Sequence, residues 1–317
     1  MKKILVTGGC GFIGSGFIEY QMQEYDVKII NVDRISIGGD KQNISAATAA
    51  DDRYKFYQID ITDPIDVECV FEENKNIDAV VNFAAETHVD RSLTDRVGFV
   101  NSNVLGVQTL LDAIIKYNIP KLLHISTDEV YGSVYRTNVE FTEDDHLNPT
   151  NPYSASKAAA EMMIKAAIHS FGVNAIITRS CNNYGPRQYH EKLIPKVLKA
   201  IRDEKPITVY NDGQMVREWM HVLDNCIGID KALQCGWSGE VYNLGTTERV
   251  TVLNVIKHIH DILDKEMKIE FTKDRANDDI QYSIDSSKAK SHLNWKPQIS
   301  FENGLRSTIE WYVKRFK

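Results

Sequence analysis

Residues 3–14 read KILVTGGCGFIG, a short aliphatic run that enters a cluster of glycines, Gly8, Gly9, Gly11 and Gly14, and continues into an amphipathic stretch from Phe12 to Glu24. The run predicts a strand and the stretch after it a helix, so the glycines occupy a strand-to-helix turn. They satisfy both a Gly-x-x-Gly-x-x-Gly and a Gly-x-Gly-x-x-Gly spacing. Glycine there permits a tight turn and close backbone approach to a pyrophosphate, and the helix amino terminus offers oriented N–H donors. A glycine match alone is weak; the flanking strand and helix are the context that gives it meaning. The expected cofactor-binding residues of this unit are Gly8, Gly11, Phe12, Ile13 and Gly14. Asp33 closes the next apolar run, where a carboxylate can accept from both adenosine ribose hydroxyls and repel a 2′-phosphate. NAD is therefore expected over NADP, with Arg34 as a countervailing charge that could pair with such a phosphate or stack on adenine.

Further along, apolar runs at 27–32, 54–58, 78–83 and 121–125 alternate with amphipathic stretches, most clearly at 12–24 and 97–117. This alternation predicts an α/β fold with a doubly wound (Rossmann) parallel sheet. Near-continuous apolar strands such as KILV and LLHI suit a sheet covered on both faces. Asn151-Pro152 supplies a cap and a first-turn proline for a long helix carrying residues 153–170, and a sixth strand is expected at 173–178. From Cys181 the rhythm breaks: NNYGP reads as a turn, 191–203 as a helix, and ITVYND, EVYNLG and KIEFT as short separated segments. The expected organisation is an NAD-binding domain over 1–180, with segments around 205–230 returning to it, and a smaller substrate-binding lobe over 181–317.

The chain has 317 residues, 43% of them hydrophobic, which is ample for a buried core. With Lys+Arg 37 against Asp+Glu 44 the net charge is −7, so no overall basic field draws in nucleic acid or anionic membrane. No stretch approaches the roughly 18 apolar residues of a membrane span, and the amino-terminal apolar run is too short for a signal-peptide core. Cys10, Cys69, Cys181, Cys226 and Cys235 are scattered, odd in number and without metal-ligand spacing. A reducing, cytoplasmic location and no metal are the expectations.

Chemistry enters at Ser126-Thr127-Asp128-Glu129, which ends the 121–125 run, and at Tyr153-x-x-x-Lys157 beyond it. Tyr153 and Lys157, four apart on a helix, share a face. An unperturbed tyrosine has a pKa near ~10, and bringing it to about 7 takes roughly 4 kcal/mol of preferential phenolate stabilisation. A neighbouring ammonium and a positive nicotinamide ring could supply it. A redox tyrosine beside two adjacent acids suggests elimination. Oxidation of a hydroxyl to a ketone acidifies the proton on the adjacent carbon, which Glu129 can remove, while Asp128 donates to a hydroxyl departing from the carbon beyond. That division needs one acid protonated and its neighbour ionised, which neighbouring acids in a partly desolvated pocket achieve by splitting their pKa values.

The stretches TGGCGFIG, AAETHVDRS, FVNSNVLG, HISTDEVYG, NPYSASKAAAEM, NNYGP, EKLIP, VREW, VYNLG and IEWY run from the first strand to the last helix. In them the chain resembles the extended short-chain dehydrogenase/reductases, and among these the nucleotide-sugar 4,6-dehydratases of the dTDP-glucose type. The resemblance implies tightly held NAD regenerated at each turnover, a nucleotide-sugar substrate and a homodimer packed through the 97–117 and 153–170 helices. It implies Tyr153 as the base at the 4-hydroxyl, Lys157 lowering its pKa and anchoring the nicotinamide ribose, and Thr127 bonding the same hydroxyl. It further implies Asp60 and Ile61 flanking adenine, Ala84 and Ala85 lining the cofactor, and Asn103 holding the loop beneath it. Asn183, Lys192, Arg217, Asn243 and Arg275 are implied on the substrate side. Departures at Asn211, Ile37 and along Asp274–Tyr282, where Asp278 and Gln281 remove positive character, leave the substrate open between dTDP-glucose, UDP-glucose and UDP-N-acetylglucosamine. A 4-epimerase, which needs no Asp-Glu pair, is the enzyme alternative, and a non-catalytic NAD-sensing protein on the same fold is the remote one.

Overall fold

In a computed structural model, which describes residues 1–133, 140–265, 267–272 and 283–315, the glycine-rich turn lies in the middle of a seven-stranded sheet. The strands run, edge to edge, Val241–Leu244, Ala175–Ser180, Leu122–Thr127, Ala79–Asn82, Lys3–Thr7, Lys28–Val32 and Tyr54–Tyr57. All neighbours pair in parallel. The order reverses at Lys3–Thr7, the switch point where an open α/β sheet leaves a crevice beyond its carboxyl ends.

Burial explains why the central strands open on continuous apolar runs. Leu122–Thr127 and Ala175–Ser180 are buried at every position, because helices cover both faces. Phe17 and Ile18 of the Phe12–Glu24 helix join Cys226, Ile229 and Leu233 of the Val222–Cys235 helix on one face. Val70, Leu110, Ile114 and Ile164, from three other helices, fill the second. The Pro152–Phe171 helix begins with the expected cap: the Asn151 side chain accepts from Ser154 N, Ser154 reciprocates, and Pro152 sits in the first turn. It ends at Gly172 in the left-handed region, φ 70°.

The expected single helix over 97–117 is three pieces: Arg96–Val100, a π-turn at Asn101–Leu105, and Gly106–Lys116. Such turns often mark functional positions. This one turns Asn103 inward, where its Oδ1 accepts from Glu86 N at 2.8 Å and its Nδ2 donates to Glu86 O at 3.0 Å and Ser156 Oγ at 2.8 Å.

Two small sheets build the remainder. Arg249–Thr251, Val216–His221 and Asn182–Tyr184 form one, so part of NNYGP is strand rather than turn. Ile207–Tyr210 pairs with Ile269–Thr272 in the other. A third core of Tyr184, Val197, Val209, Trp219, Val255 and Leu305 packs between them and their helices. The return to the main sheet is made by the Val222–Cys235 helix, which overlaps the end of the expected 205–230, and by the Val241–Leu244 strand beyond it. ITVY, amphipathic by alternation, instead buries Ile207 and Val209 in the third core.

Candidate active site

The glycine turn is set by contact. Gly8 has φ +68°, and a Cβ there would lie 2.6 Å from Ala84 N; at Gly14 a Cβ would lie 2.4 Å from Gly8 O. Neither position tolerates a side chain. Phe12, Ile13 and Gly14 consequently start their helix against the cleft, which holds about 300 Å³ and runs from Gly8 through Asp33, Ile61 and Ala84 to Tyr153, Asn183 and Lys192. A Gly14→Ala protein is expected to lose about 1–3 kcal/mol of stability through overpacking and to bind NAD more weakly. Denaturant unfolding and calorimetric titration with NAD measure the two.

Asp33 lies at the edge of this cradle. Its Oδ2 accepts from Cys10 N at 2.9 Å and its Oδ1 from Ile35 N at 2.8 Å. Burial raises its pKa and these two donors oppose the rise. Each carboxylate oxygen keeps a further lone pair for a ribose hydroxyl. Arg34, the possible phosphate partner, is held elsewhere: Nη1 donates to Asp60 at 2.9 Å and Nη2 to Glu86. Flanked by two acids, that arginine is spent, and the turn fits a cofactor without a 2′-phosphate. Asp60 also accepts from Thr62 N and Oγ1, both at 2.9 Å, which shapes the wall beside Ile61. Ala84 and Ala85 line the cleft, and Asn103 braces the loop that follows them through Glu86.

At the far end, Leu122–Thr127 delivers its last residue to the sheet's carboxyl edge and a single 3₁₀ turn, Asp128–Tyr131, follows. Thr127 caps that turn: its Oγ1 accepts from Glu129 N at 3.3 Å and donates to Asp128 Oδ1 at 3.2 Å. Asp128 is 3% exposed and its Oδ2 has no hydrogen-bond partner among the described residues. Burial pushes its pKa well up, with Glu129 and Glu218 adding repulsion and Thr127 and Arg217 opposing it. Asn151, which caps the tyrosine helix, also reaches Glu129 Oε2 at 3.4 Å. Thus Glu129 is tied to the start of the helix that carries Tyr153.

Tyr153 and Lys157 lie one turn apart on the Pro152–Phe171 helix and share a face. Lys157 Nζ donates to Ile125 O at 2.6 Å and sits 3.2 Å from His124 Nε2. Burial brings its pKa down to about 8. Tyr153 is pushed up by burial first and then by Glu129, while a hydrogen bond with Thr127 favours the phenolate and Asp128 opposes it. His124 and the Ile125 carbonyl thus meet two of the amine's three donors. His124 Nδ1 in turn meets Asn82 Nδ2 at 3.0 Å.

Of the residues expected on the substrate side, Asn183 and Lys192 line the cleft. Asn183 Oδ1 is buried without a partner among the described residues, and Lys192 Nζ donates to Thr87 O at 3.4 Å. Arg217 stands on the Val216–His221 strand, donates to its own Val216 O at 2.9 Å and acts on Asp128 electrostatically. Asn243 is not brought to the cleft. It is fully buried, accepting from Tyr131 Oη at 2.8 Å and donating to Phe141 O at 2.9 Å. Behind the acids, Arg179 joins this network to Glu161, which accepts from Ser126 Oγ at 2.6 Å. Arg275 lies outside the described residues.

Sequence reasoning gave no role to His124, Glu161 or Glu218. Glu218 is 1% exposed, and burial raises its pKa to about 7. It comes from VREW, where a charged residue between Arg217 and Trp219 was the available signal. Among the described residues, no group of three or more His, Cys, Asp or Glu could hold a metal ion.

Residues 5–308 match the family model described as GDP-mannose 4,6 dehydratase. The chain belongs to that dehydratase family. Within reach of it stands the low-salt glycan biosynthesis protein Agl12 of Haloferax volcanii, 42% identical across 98% of this chain and 98% of that protein. Two solved dehydratases resemble it throughout. The dTDP-glucose 4,6-dehydratase of Bacillus anthracis, in complex with NAD, is 40% identical with a TM-score of 0.91, covering 99% of this chain and 97% of that one. DesIV of Streptomyces venezuelae, a dTDP-glucose 4,6-dehydratase with NAD bound, is 37% identical with a TM-score of 0.94, covering 98% and 97%. The extended short-chain dehydrogenase/reductase architecture expected from the motifs is therefore the architecture of this family's members.

Proposed function

We propose that the protein is an NAD-dependent nucleotide-sugar 4,6-dehydratase, a hydro-lyase that converts a nucleoside-diphosphate hexose to its 4-keto-6-deoxy form. The observation that carries this reading is the Thr127-Asp128-Glu129 turn. A buried carboxyl whose pKa burial pushes up sits beside a second acid, both lining the cleft with Tyr153. A 4-epimerase needs the tyrosine and the glycine turn but has no work for that pair.

The cradle of Gly8, Gly11, Gly14 and Asp33, with Arg34 neutralised, suits NAD. When bound, NAD supplies the hydride acceptor at carbon 4, the donor at carbon 6 and a positive charge beside Tyr153. Tyr153 takes the 4-hydroxyl proton while Thr127 orients that hydroxyl. Glu129 removes the proton from carbon 5, Asp128 protonates the departing 6-hydroxyl, and Glu129 returns its proton to carbon 5. Asn183 and Lys192 hold the substrate, with Arg217 on the diphosphate side.

The dTDP-glucose dehydratases among the relatives support a dTDP-hexose, with UDP-glucose and UDP-N-acetylglucosamine as the competing substrates. Incubation with each, followed by mass and NMR analysis, is expected to show loss of one water. An isobaric product altered only at its 4-hydroxyl would overturn the reading.

Exposed Val97, Val100, Leu105, Met162 and Met163 on the two expected helices support a homodimer, which sedimentation analysis tests. Among the described residues no helix is long and apolar enough to cross a membrane. Five unpaired cysteines support a reducing, cytoplasmic setting.

A further inference from the structure

Behind the acid turn lies a pair of charges that the proposed chemistry does not use. Glu161 and Arg179 are 0% and 1% exposed, and neither lines the cleft. Glu161 stands four residues beyond Lys157 on the Pro152–Phe171 helix and shares its face. Arg179 belongs to the Ala175–Ser180 strand, where its register partner is Ser126, the residue before Thr127. The Glu161 carboxylate accepts from Arg179 Nε at 3.0 and 3.2 Å, from Arg179 Nη2, and from Ser126 Oγ at 2.6 Å. Arg179 Nη1 donates to Tyr131 Oη at 2.6 Å, and the guanidinium carbon lies 4.6 Å from the centre of that ring. Phe141 stacks on the same ring, 5.0 Å away and 7° from parallel, and Tyr131 Oη donates onward to Asn243 Oδ1 at 2.8 Å. Ser126 precedes the segment that carries Thr127, Asp128 and Glu129, and Tyr131 ends it. One ion pair therefore grips both ends of that segment and ties it to the helix of Tyr153 and Lys157.

Stability alone does not call for such a pair. Charges taken out of water carry a desolvation penalty, and well-packed apolar residues of similar volume often serve as well or better. What apolar residues lack is direction: the planar fork of a guanidinium fixes several partners at set angles at once. We propose that Glu161 and Arg179 are positioning residues that register the acid turn against the Tyr153–Lys157 helix, and so govern the elimination half of the reaction. This inference rests on the dehydratase reading and extends it to two residues outside the cleft. The two halves depend on the pair unequally. Tyr153 has separate anchors, because Asn151 caps its helix and Asn103 Nδ2 donates to Ser156 Oγ at 2.8 Å. The acid turn is a single 3₁₀ turn, Asp128–Tyr131, that takes its position from the residues at its ends. Loosening the pair moves the acids relative to the tyrosine, and a displacement of about 1 Å can cost on the order of 10²-fold in rate.

The test separates the two halves in the NAD-loaded protein. Arg179→Lys keeps a positive charge beside Glu161 and removes the fork. Oxidation at carbon 4, read as reduced-cofactor absorbance on mixing with a sugar nucleotide, is expected close to the wild-type rate. Deuterium exchange at carbon 5 and loss of water should slow together by on the order of 10²-fold. Tyr131→Phe, which cuts one bond of the clamp and keeps the ring stack, should show a smaller split in the same direction. Glu161→Leu/Arg179→Met leaves no orphan charge; it should melt no earlier than the wild type and yet lose water no faster than Arg179→Lys. Equal slowing of oxidation and elimination in Arg179→Lys would overturn the clamp, as would wild-type water loss in that variant or in the double one. Should Arg179→Lys fail to fold, the same two rates in Tyr131→Phe decide, and an unsplit pair of rates there overturns the clamp. Absence of water loss in the wild-type protein with every nucleotide sugar would instead overturn the dehydratase reading.

Discussion

Tyr153→Phe is expected to lower kcat on the order of 10³-fold while leaving the fold and NAD binding intact. Removing the phenolic oxygen deletes the acceptor of the 4-hydroxyl proton, and a positioned general base contributes about 10²- to 10⁴-fold. The ring itself remains, 6.3 Å from Phe99 in an edge-to-face contact, so packing is conserved. Stability should change little, because the lost hydroxyl sits in a desolvated place where burial already opposes its ionisation. The measurements are steady-state rates, NAD titration and a thermal melt on the same preparation. A variant that retains wild-type kcat would remove Tyr153 from the chemistry. A variant that loses NAD binding would instead make the ring a structural element of the cradle.

The contrast between Tyr153 and Lys157 shows where sequence reading stops. Spacing of four placed both on one helix face, and the capping pair Asn151 and Ser154 placed the start of that helix. Both inferences depend on local periodicity, which the chain carries in consecutive residues. What Lys157 touches depends on a strand some thirty residues earlier. The amine donates to the Ile125 carbonyl at 2.6 Å, and no pattern within the helix encodes that partner. Asn243 shows the same limit. VYNL reads as a strand and is one, but only the packed structure shows that its asparagine joins Tyr131 and Phe141 away from the cleft.

The main-sheet strands were legible because burial on both faces forces continuous apolar runs. The strands of the smaller sheets were harder. Asn182–Tyr184 has three residues, two of them polar, and is held by parallel pairing with Trp219–His221 rather than by its own composition. The π-turn at Asn101–Leu105 was equally hidden, since one extra residue in a helical turn barely disturbs a hydrophobic pattern. Its signal was the asparagine itself, a poor helix former placed mid-helix and rewarded by three hydrogen bonds to Glu86 and Ser156. Arg34 is the converse case. Sequence left it as a candidate 2′-phosphate partner, and Asp60 and Glu86 together remove that option.

Exchange of either acid for its amide should separate the steps that the wild-type protein runs together. Glu129→Gln is expected to oxidise carbon 4, seen as reduced-cofactor absorbance on mixing, yet to incorporate no solvent deuterium at carbon 5 and to release no water. Asp128→Asn should do the reverse at carbon 5: Glu129 still exchanges that proton, while expulsion of the 6-hydroxyl fails for want of a donor. Both losses should reach on the order of 10²- to 10⁴-fold in product formation. The distinction follows from environment rather than from residue type. Asp128 is enclosed, with Glu129 and Glu218 repelling its charge, so it holds its proton into the pH range where an ordinary aspartate is ionised. Because the protonated form does the work, product formation in the wild-type protein should fall as pH rises through that raised pKa. Glu218→Gln removes one of the charges that raise it, so the descending limb should move to lower pH without abolishing turnover. Deuterium incorporation at carbon 5 in Glu129→Gln at the wild-type rate would transfer the base to another group. An unmoved limb in Glu218→Gln would leave burial and Glu129 as the sole causes that keep Asp128 protonated.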